Sequence, residues 1–377
     1  MNLRDLDTPS LILDRGRLKA NAQAMSQHVK GLGADLRPHM KTAKSIEVAR
    51  IATAGNAGGI TVSTLKEAEY FHGKGLSDIT YAVGLAPAKI KRANALVAAG
   101  ANLKVITDNG VAARAIADEG RGLSVLVEID CGDERGGMLP TEPAVIEVAR
   151  LLEQSSGVTF MGVLTHAGHS YDCRTSEEMA DLAEVERTTA VDAGDRIRSA
   201  GIDCPVVSVG STPTARFARN LDGVTETRPG VYMFGDLFQA GIGSCGTGDM
   251  AVSVLASVIA HRPELDGGKV LIDAGGLSLS KDRSTAALSG DCGYGLLAEA
   301  GTGALIPGVA VSTVNQEHGH ITALGSSSLP YDRLPIGSLV RVFVNHACMT
   351  SAAYGAYHVI DDDSGEIVEV WERCNGW

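Results

Sequence analysis

Three groups of residues in this 377-residue chain have types and spacings suited to chemistry. The first is Leu36-Arg37-Pro38-His39-Met40-Lys41-Thr42, where a lysine follows a proline and precedes a helical stretch from Ser45 to Ala54. A residue before proline is pushed out of the α region, and the run is too short and broken for a helix, so it reads as a strand. Lys41 then sits at the C-terminal end of that strand, where α/β folds keep their chemistry. A working amine fits that place; a solvated lysine is the simpler reading of these residues alone.

The second group is Gly210-Ser211-Thr212-Pro213-Thr214, which follows an apolar strand and opens a helix. Its N–H groups and hydroxyls can cradle a phosphate, or Ser and Thr can simply cap the helix. Arg228-Pro229-Gly230 ends the next strand and is placed to serve the same ligand. The third is His346-Ala347-Cys348. Residues two apart on a strand share a face, so in an extended run from Val342 to Cys348 the imidazole and thiolate lie side by side, a pair that suits Zn²⁺. Two ligands fall short of a structural site and suit a catalytic ion with open positions. A buried His and Cys without metal is the alternative, and the sequence offers no third ligand.

Two further stretches carry polar side chains at strand ends. Asp130-Cys131-Gly132-Asp133-Glu134-Arg135-Gly136-Gly137 is a Gly-rich loop whose Arg135 can hold an anionic oxygen or lie on the surface. Thr165-His166-Ala167-Gly168-His169-Ser170-Tyr171 ends a buried strand with the rings of His166 and Tyr171, either of which can be an ordinary core group.

Positioning these groups falls to a regular alternation. Short β-branched runs at Leu36–Thr42, Gly59–Ser63, Asp78–Val83, Leu103–Asp108, Ser124–Asp130, Phe160–His166, Pro205–Gly210 and Val224–Arg228 are separated by helical segments such as Glu142–Gln154 and Ser176–Ala200. Eight strands with crossovers of this length predict a closed (β/α)8 barrel of the α/β class, an open doubly wound sheet being the alternative. The barrel places Lys41, Ser63, Arg135, His166, the 210–212 turn and Arg228 on one rim. Beyond about Gly235, short strands separated by Gly, Pro, Ser and Asp clusters predict a second, β-rich domain. The expected division is a barrel over 14–238 and a β domain from 1–13 and 239–377.

The composition is that of an ordinary globular protein, with 44% hydrophobic and 21% charged residues. A formal net charge of -12 without a basic cluster disfavours nucleic acid or an anionic membrane as partner. The N-terminus, with Arg4, Asp5 and Asp7 before any apolar run, has no signal-peptide pattern, and no stretch has the length of a membrane span, so a cytoplasmic protein is expected. The seven cysteines lack CxxC pairs, and their odd number argues against a full disulfide framework.

Taken together, Asp7-Thr8-Pro9, the Arg37–Thr42 run, Thr165-His166-Ala167-Gly168, the Gly210–Thr214 turn, Arg228-Pro229-Gly230-Val231-Tyr232, Asp273-Ala274-Gly275, Asn315-Gln316-Glu317-His318-Gly319 and Asn345-His346-Ala347-Cys348 resemble the D-serine dehydratase and D-threonine aldolase family. The resemblance spans the chain. It implies an alanine racemase-like barrel that binds pyridoxal phosphate, with Lys41 as the Schiff-base lysine. Gly210, Ser211 and Thr212 match the phosphate turn, with Gly230 and Tyr232 close by. Arg135 matches an arginine near the phenolic oxygen, Arg228 the one that meets the pyridine nitrogen, and His166 and Tyr171 the ring-lining residues. His346 and Cys348 match the family's divalent-metal pair, zinc first, with manganese, magnesium or cobalt as alternatives. Aldolases of the family carry His-x-Asp and dehydratases His-x-Cys. The implied activity is therefore dehydration of small D-3-hydroxy amino acids such as D-serine, D-threonine or D-threo-3-hydroxyaspartate. Aldol cleavage to glycine and an aldehyde is the alternative, and a non-catalytic cofactor-binding protein is a third reading. A homodimer is implied as well.

Overall fold

In the computed structural model, which describes residues 1–325, 327–361 and 365–377, the chain divides into two units. One comprises residues 23–230 with 376–377, the other residues 1–22 and 231–375. The first strand, β1 (Ser10–Asp14), belongs to the second unit.

The first unit is built on eight parallel strands: β2 (Asp35–Leu36), β3 (Ile60–Val62), β4 (Asp78–Gly84), β5 (Asn102–Thr107), β6 (Leu123–Ile129), β7 (Val158–Thr165), β8 (Val206–Val209) and β9 (Glu226–Thr227). They pair in the order β2-β9-β8-β7-β6-β5-β4-β3. The ring closes through one parallel bridge, His39 to Thr61, where the Thr61 N–H donates to the Pro38 carbonyl at 2.9 Å and the Met40 N–H donates to the Thr61 carbonyl at 2.7 Å. The expected strand over 36–42 is thus regular only at Asp35–Leu36, because Pro38 has no N–H to continue a ladder. The chain still runs extended to Met40, its N–H groups reaching Thr227 from Arg37 and Pro229 from His39. Lys41 is the first residue off this end, in a turn.

The longest helix, Ser176–Ser199, shows how sequence builds the outer layer. Thr175 and Glu178 form a reciprocal capping box that satisfies two of its orphan N–H groups. Met179, Ala183, Glu186, Ala190 and Ile197 are all buried and recur at helical spacing, which seats one stripe on the strands. Glu186 is a carboxylate in that stripe.

Inside the barrel a charged layer replaces part of the usual apolar filling. Arg37 donates to Glu226 at 2.6 Å and, bidentately, to Asp78 at 3.1 and 3.0 Å; Lys104 donates to Asp78 at 2.5 Å. Ser208 links Glu226 to Arg228, donating to the first at 2.7 Å and accepting from the second at 2.6 Å.

The second unit is antiparallel. Its strands are β10 (Val252–His261), β11 (Val270–Ile272), β12 (Leu296–Glu299), β13 (Leu305–Val314), β14 (Gly319–Ala323) and β15 (Leu339–Phe343), followed by β16 (Ala356–Ile360) and β17 (Glu369–Glu372). The order β11-β14-β13-β12-β15-β10, with β10 also pairing to β11, closes six of them into a small barrel, and β1, β16 and β17 extend the sheet from β10. One expectation fails here. The extended run through Cys348 stops at Phe343, and His346 is the N-cap of a short helix, Ala347–Ser351. The Ala347 N–H is taken by Asp236, 111 residues back in the chain, and the Thr350 N–H by the His346 carbonyl, so the chain turns into a helix instead of pairing on.

Candidate active site

The C-terminal mouth of the parallel barrel holds a cavity of about 420 Å³, within the roughly 300–1,000 Å³ typical of small-ligand sites. Lys41, Ser63, Arg135, His166, Gly210 and Arg228 line it, together with His39, Asp108 and Glu128, for which the sequence offers no role. Each reaches the mouth from the end of a strand or the loop that follows one. The 130–137 loop that carries Arg135 is shaped by Asp130, whose Oδ1 accepts the N–H groups of Gly132, Asp133 and Glu134. Arg135 stays largely exposed, 3.7 Å from Asp133.

The two imidazoles are neutral, and their tautomers follow from their partners. Burial, then the charge of Lys41, lowers His166 to about 3. Its Nδ1 lies 2.9 Å from the Gly210 carbonyl, which can only accept, so Nδ1 carries the hydrogen and Nε2 the lone pair. His39 is held well below its ordinary value by burial and then by Lys41, Arg228, His166 and Arg135. The Lys41 N–H donates to its Nδ1 at 3.3 Å, leaving the hydrogen on Nε2.

Arg228 is anchored by three hydrogen bonds and still lines the cavity. It donates to Ser208 at 2.6 Å, the Val209 carbonyl at 3.2 Å and the Thr165 carbonyl at 2.5 Å. Burial lowers it to about 10 against the opposing charges of Glu226, Glu186 and Glu128. Glu128 is raised above the usual carboxylate range, by burial first and by Asp108 and Asp130 next, with Arg135 and Arg228 opposing.

The 210–214 turn realises the capping reading in full. Ser211 caps the helix Thr212–Phe217 by accepting from the Thr214 N–H at 3.2 Å, its own N–H donates to the Thr214 hydroxyl at 2.9 Å, and its hydroxyl also meets Ser170 at 2.8 Å. The Gly210 N–H donates to the buried Glu186 at 3.1 Å, and the same oxygen takes the Ala167 N–H at 2.7 Å. Thr212 is buried at the first helical position. Gly230 packs on the lysine run: a methyl group there would stand 2.9 Å from the His39 carbonyl oxygen. Tyr171, in a turn of 3₁₀-helix over Gly168–Asp172, is half-buried and is not part of the cavity wall. Tyr232 belongs to the other unit, where its buried hydroxyl is pushed far above the ordinary tyrosine range.

In that second unit His346 and Cys348 interact, and Asp282 accepts from His346 Nδ1 at 3.2 Å. Burial alone would lower His346; the Asp282 hydrogen bond, Cys348 and Asp236 together raise it to about 11. The His346 hydrogen bond holds Asp282 at about 2. A carboxylate on one ring nitrogen is how metal-binding histidines are commonly oriented, leaving the other nitrogen for the ion. Among the described residues no cluster of three or more His, Cys, Asp or Glu side chains is placed to hold a metal. Asp282 and Asp236 carry no motif that would single them out in the sequence. They lie 64 and 110 residues from His346, and only folding brings them together.

Comparison with known proteins agrees with this architecture. Residues 13–237 match the model of the alanine racemase N-terminal domain, and residues 251–360 the model described as "Putative serine dehydratase domain". D-threo-3-hydroxyaspartate dehydratase of Delftia sp. (strain HT23) is 44% identical, covering 100% of this chain and 99% of that protein. Its solved structure superposes with a TM-score of 0.95 at 43% identity over 100% of both chains, and a mutant of it has been solved in the metal-free form. D-serine dehydratase of Dictyostelium discoideum is 31% identical over 100% of this chain and 98% of that protein. The solved D-threonine aldolase from Filomicrobium marinum has a TM-score of 0.84 at 25% identity, covering 99% of this chain and 97% of that one. The chain belongs to the alanine racemase N-terminal domain family, and within it to the group that contains the D-threo-3-hydroxyaspartate and D-serine dehydratases.

Proposed function

We propose that the protein is a pyridoxal-phosphate- and divalent-metal-dependent lyase that dehydrates D-3-hydroxy amino acids to a 2-oxo acid and ammonia. The single observation that carries dehydration is the imidazole–thiolate pair of His346 and Cys348, the His-x-Cys form of the pair, in a chain 44% identical end to end to a dehydratase.

The barrel mouth fits the cofactor. Lys41 offers an exposed amine, Arg135 and Arg228 offer only donors to anionic oxygens and a ring nitrogen, and neutral His166 offers a flat ring. For the phosphate, the family resemblance points to the Gly210–Thr212 turn, of which Gly210 lines the cavity. Bound there, pyridoxal phosphate supplies an electron sink for charge left at Cα. Lys41 would hold the cofactor, and its free amine would remove the Cα proton as general base. In the second unit His346 and Cys348 hold the ion, with Asp282 fixing the imidazole; the soft sulfur donor favours zinc. A divalent ion held there would supply Lewis acidity, the chemistry that makes a hydroxyl a better leaving group.

Incubation with D-serine, D-threonine and D-threo-3-hydroxyaspartate tests this. A 2-oxo acid with ammonia in equal amounts is the expected result. Glycine with an aldehyde would show instead the retro-aldol chemistry named for the Filomicrobium structure, which the same lysine and metal pair can serve. No helix among the described residues is long and apolar enough to cross a membrane. From the family resemblance we expect a homodimer in the cytoplasm, the first of which sedimentation would measure.

A further inference from the structure

Asp236 is assigned no part in the chemistry above, yet the residue is only 3% exposed and its carboxylate bridges two segments of the second unit. Oδ1 accepts the Gln239 N–H at 2.8 Å, capping the helix Leu237–Gly241. Oδ2 accepts the N–H of Ala347 at 3.0 Å. Ala347 is the residue between His346 and Cys348. Two backbone hydrogen bonds join the segments as well, the Leu237 N–H donating to the Val344 carbonyl at 3.0 Å and the Phe238 N–H to the Asn345 carbonyl at 3.2 Å.

We infer that Asp236 is a positioning residue for the metal pair: it fixes the peptide that joins the two ligands. The inference rests on reading His346 and Cys348 as those ligands. Its physical ground is that both come from one short turn, so the backbone torsions at Ala347 set how far apart the imidazole nitrogen and the sulfur stand. A charge-assisted hydrogen bond to that N–H restrains these torsions before the ion arrives. Asp282 acts on the ring of His346; Asp236 acts on the backbone beside it. The charge of Asp236 adds attraction for a cation that it need not touch. An N-cap alone does not ask for this residue, since serine caps equally well. Only a side chain with two acceptors of this reach serves Gln239 and Ala347 together.

That difference supplies the test. Chelator-stripped protein with its pyridoxal phosphate retained is titrated with Zn²⁺ against a competing chromophoric chelator, for the wild type, Asp236→Ser, Asp236→Asn and Cys348→Ala. Serine keeps the cap for Gln239 and gives up Ala347; asparagine keeps the shape but loses the charge and one of the two acceptors. Both are expected to weaken Zn²⁺ binding roughly 10- to 100-fold, as other supporting groups of metal sites do. The thiolate-to-metal band of the Co²⁺-loaded protein is expected to change in both, while far-UV circular dichroism stays that of the wild type. Zn²⁺ affinity of Asp236→Ser within about threefold of the wild type would reduce Asp236 to a helix cap and overturn the inference. A wild type that takes no Zn²⁺, or a Cys348→Ala variant that binds it unchanged, would overturn the reading of the metal pair itself and the inference with it.

Discussion

Lys41 shares the barrel mouth with two imidazoles, and its charge adds to burial in keeping both of them neutral. After burial it is the first cause of the low values of His39 and His166. With His166 at about 3, that ring stays unprotonated across the pH range in which enzymes of this kind are assayed. His166→Asn is therefore expected to lower turnover roughly tenfold to a hundredfold by misplacing the bound ring, while the limbs of the pH–rate profile stay where they are. A limb that disappears with the imidazole would mean that His166 titrates during turnover. Lys41→Ala is expected to abolish both turnover and the absorption above roughly 400 nm that a lysine-bound pyridoxal phosphate gives. Unchanged turnover would remove Lys41 as the base.

Between the strands, the charged layer of the parallel barrel carries a pH signature. Asp78 and Glu226 both lie below their ordinary values of 3.8 and 4.5: burial would raise each, and Arg37, with Lys104 at Asp78, more than offsets it. A depressed carboxylate contributes stability that is present above its unfolded value and lost as the pH falls through the folded one. Arg37→Met takes the ion-pair partner from the buried Glu226 and leaves Asp78 with Lys104 alone, and is expected to cost about 3–5 kcal/mol near neutrality. In urea titrations the gap between wild type and variant should narrow as the pH drops below about 4.5, where the unfolded chain begins to take up protons. A gap independent of pH would show that the layer is not ionic. Backbone packing makes a separate demand on the same sheet. Gly162 in β7 has φ +138°, and a methyl group there would run into the Val206 carbonyl on β8. Gly162→Ala is expected to cost about 2–4 kcal/mol of stability by thermal unfolding.

Across the whole molecule, the two groups proposed to act come from different units of the chain, Lys41 from residues 23–230 and the His346–Cys348 pair from residues 231–375. Their functions should therefore come apart under chelation. EDTA is expected to abolish turnover while leaving the visible absorption of the cofactor in place, and restoring a divalent ion should restore activity. Full turnover in protein shown by metal analysis to be stripped would remove the pair from the reaction. The net charge of -12 is consistent with a small-molecule substrate rather than a polyanion.

What the sequence determined alone was the local and the periodic. Eight β-branched runs with helix-length crossovers specify the barrel, because a parallel strand needs such a crossover and eight of them close. The long helix announces itself through its Thr175–Glu178 box and its buried stripe. Lys41, Arg135, His166, Gly210 and Arg228 were legible as a group because the C-terminal ends of parallel strands must gather at one mouth. The short strands β12, β14 and β16 were not legible, since a run of four or five partly exposed residues becomes a strand only by pairing with neighbours it cannot specify itself. Nor was the end of the strand before His346, where a distant carboxylate, Asp236, takes the N–H that would have continued the extended chain. Glu186, Asp282 and the Arg37 layer share that reason: whether a buried charge is tolerable depends on its partners, and the fold brings those from 19 to 189 residues away.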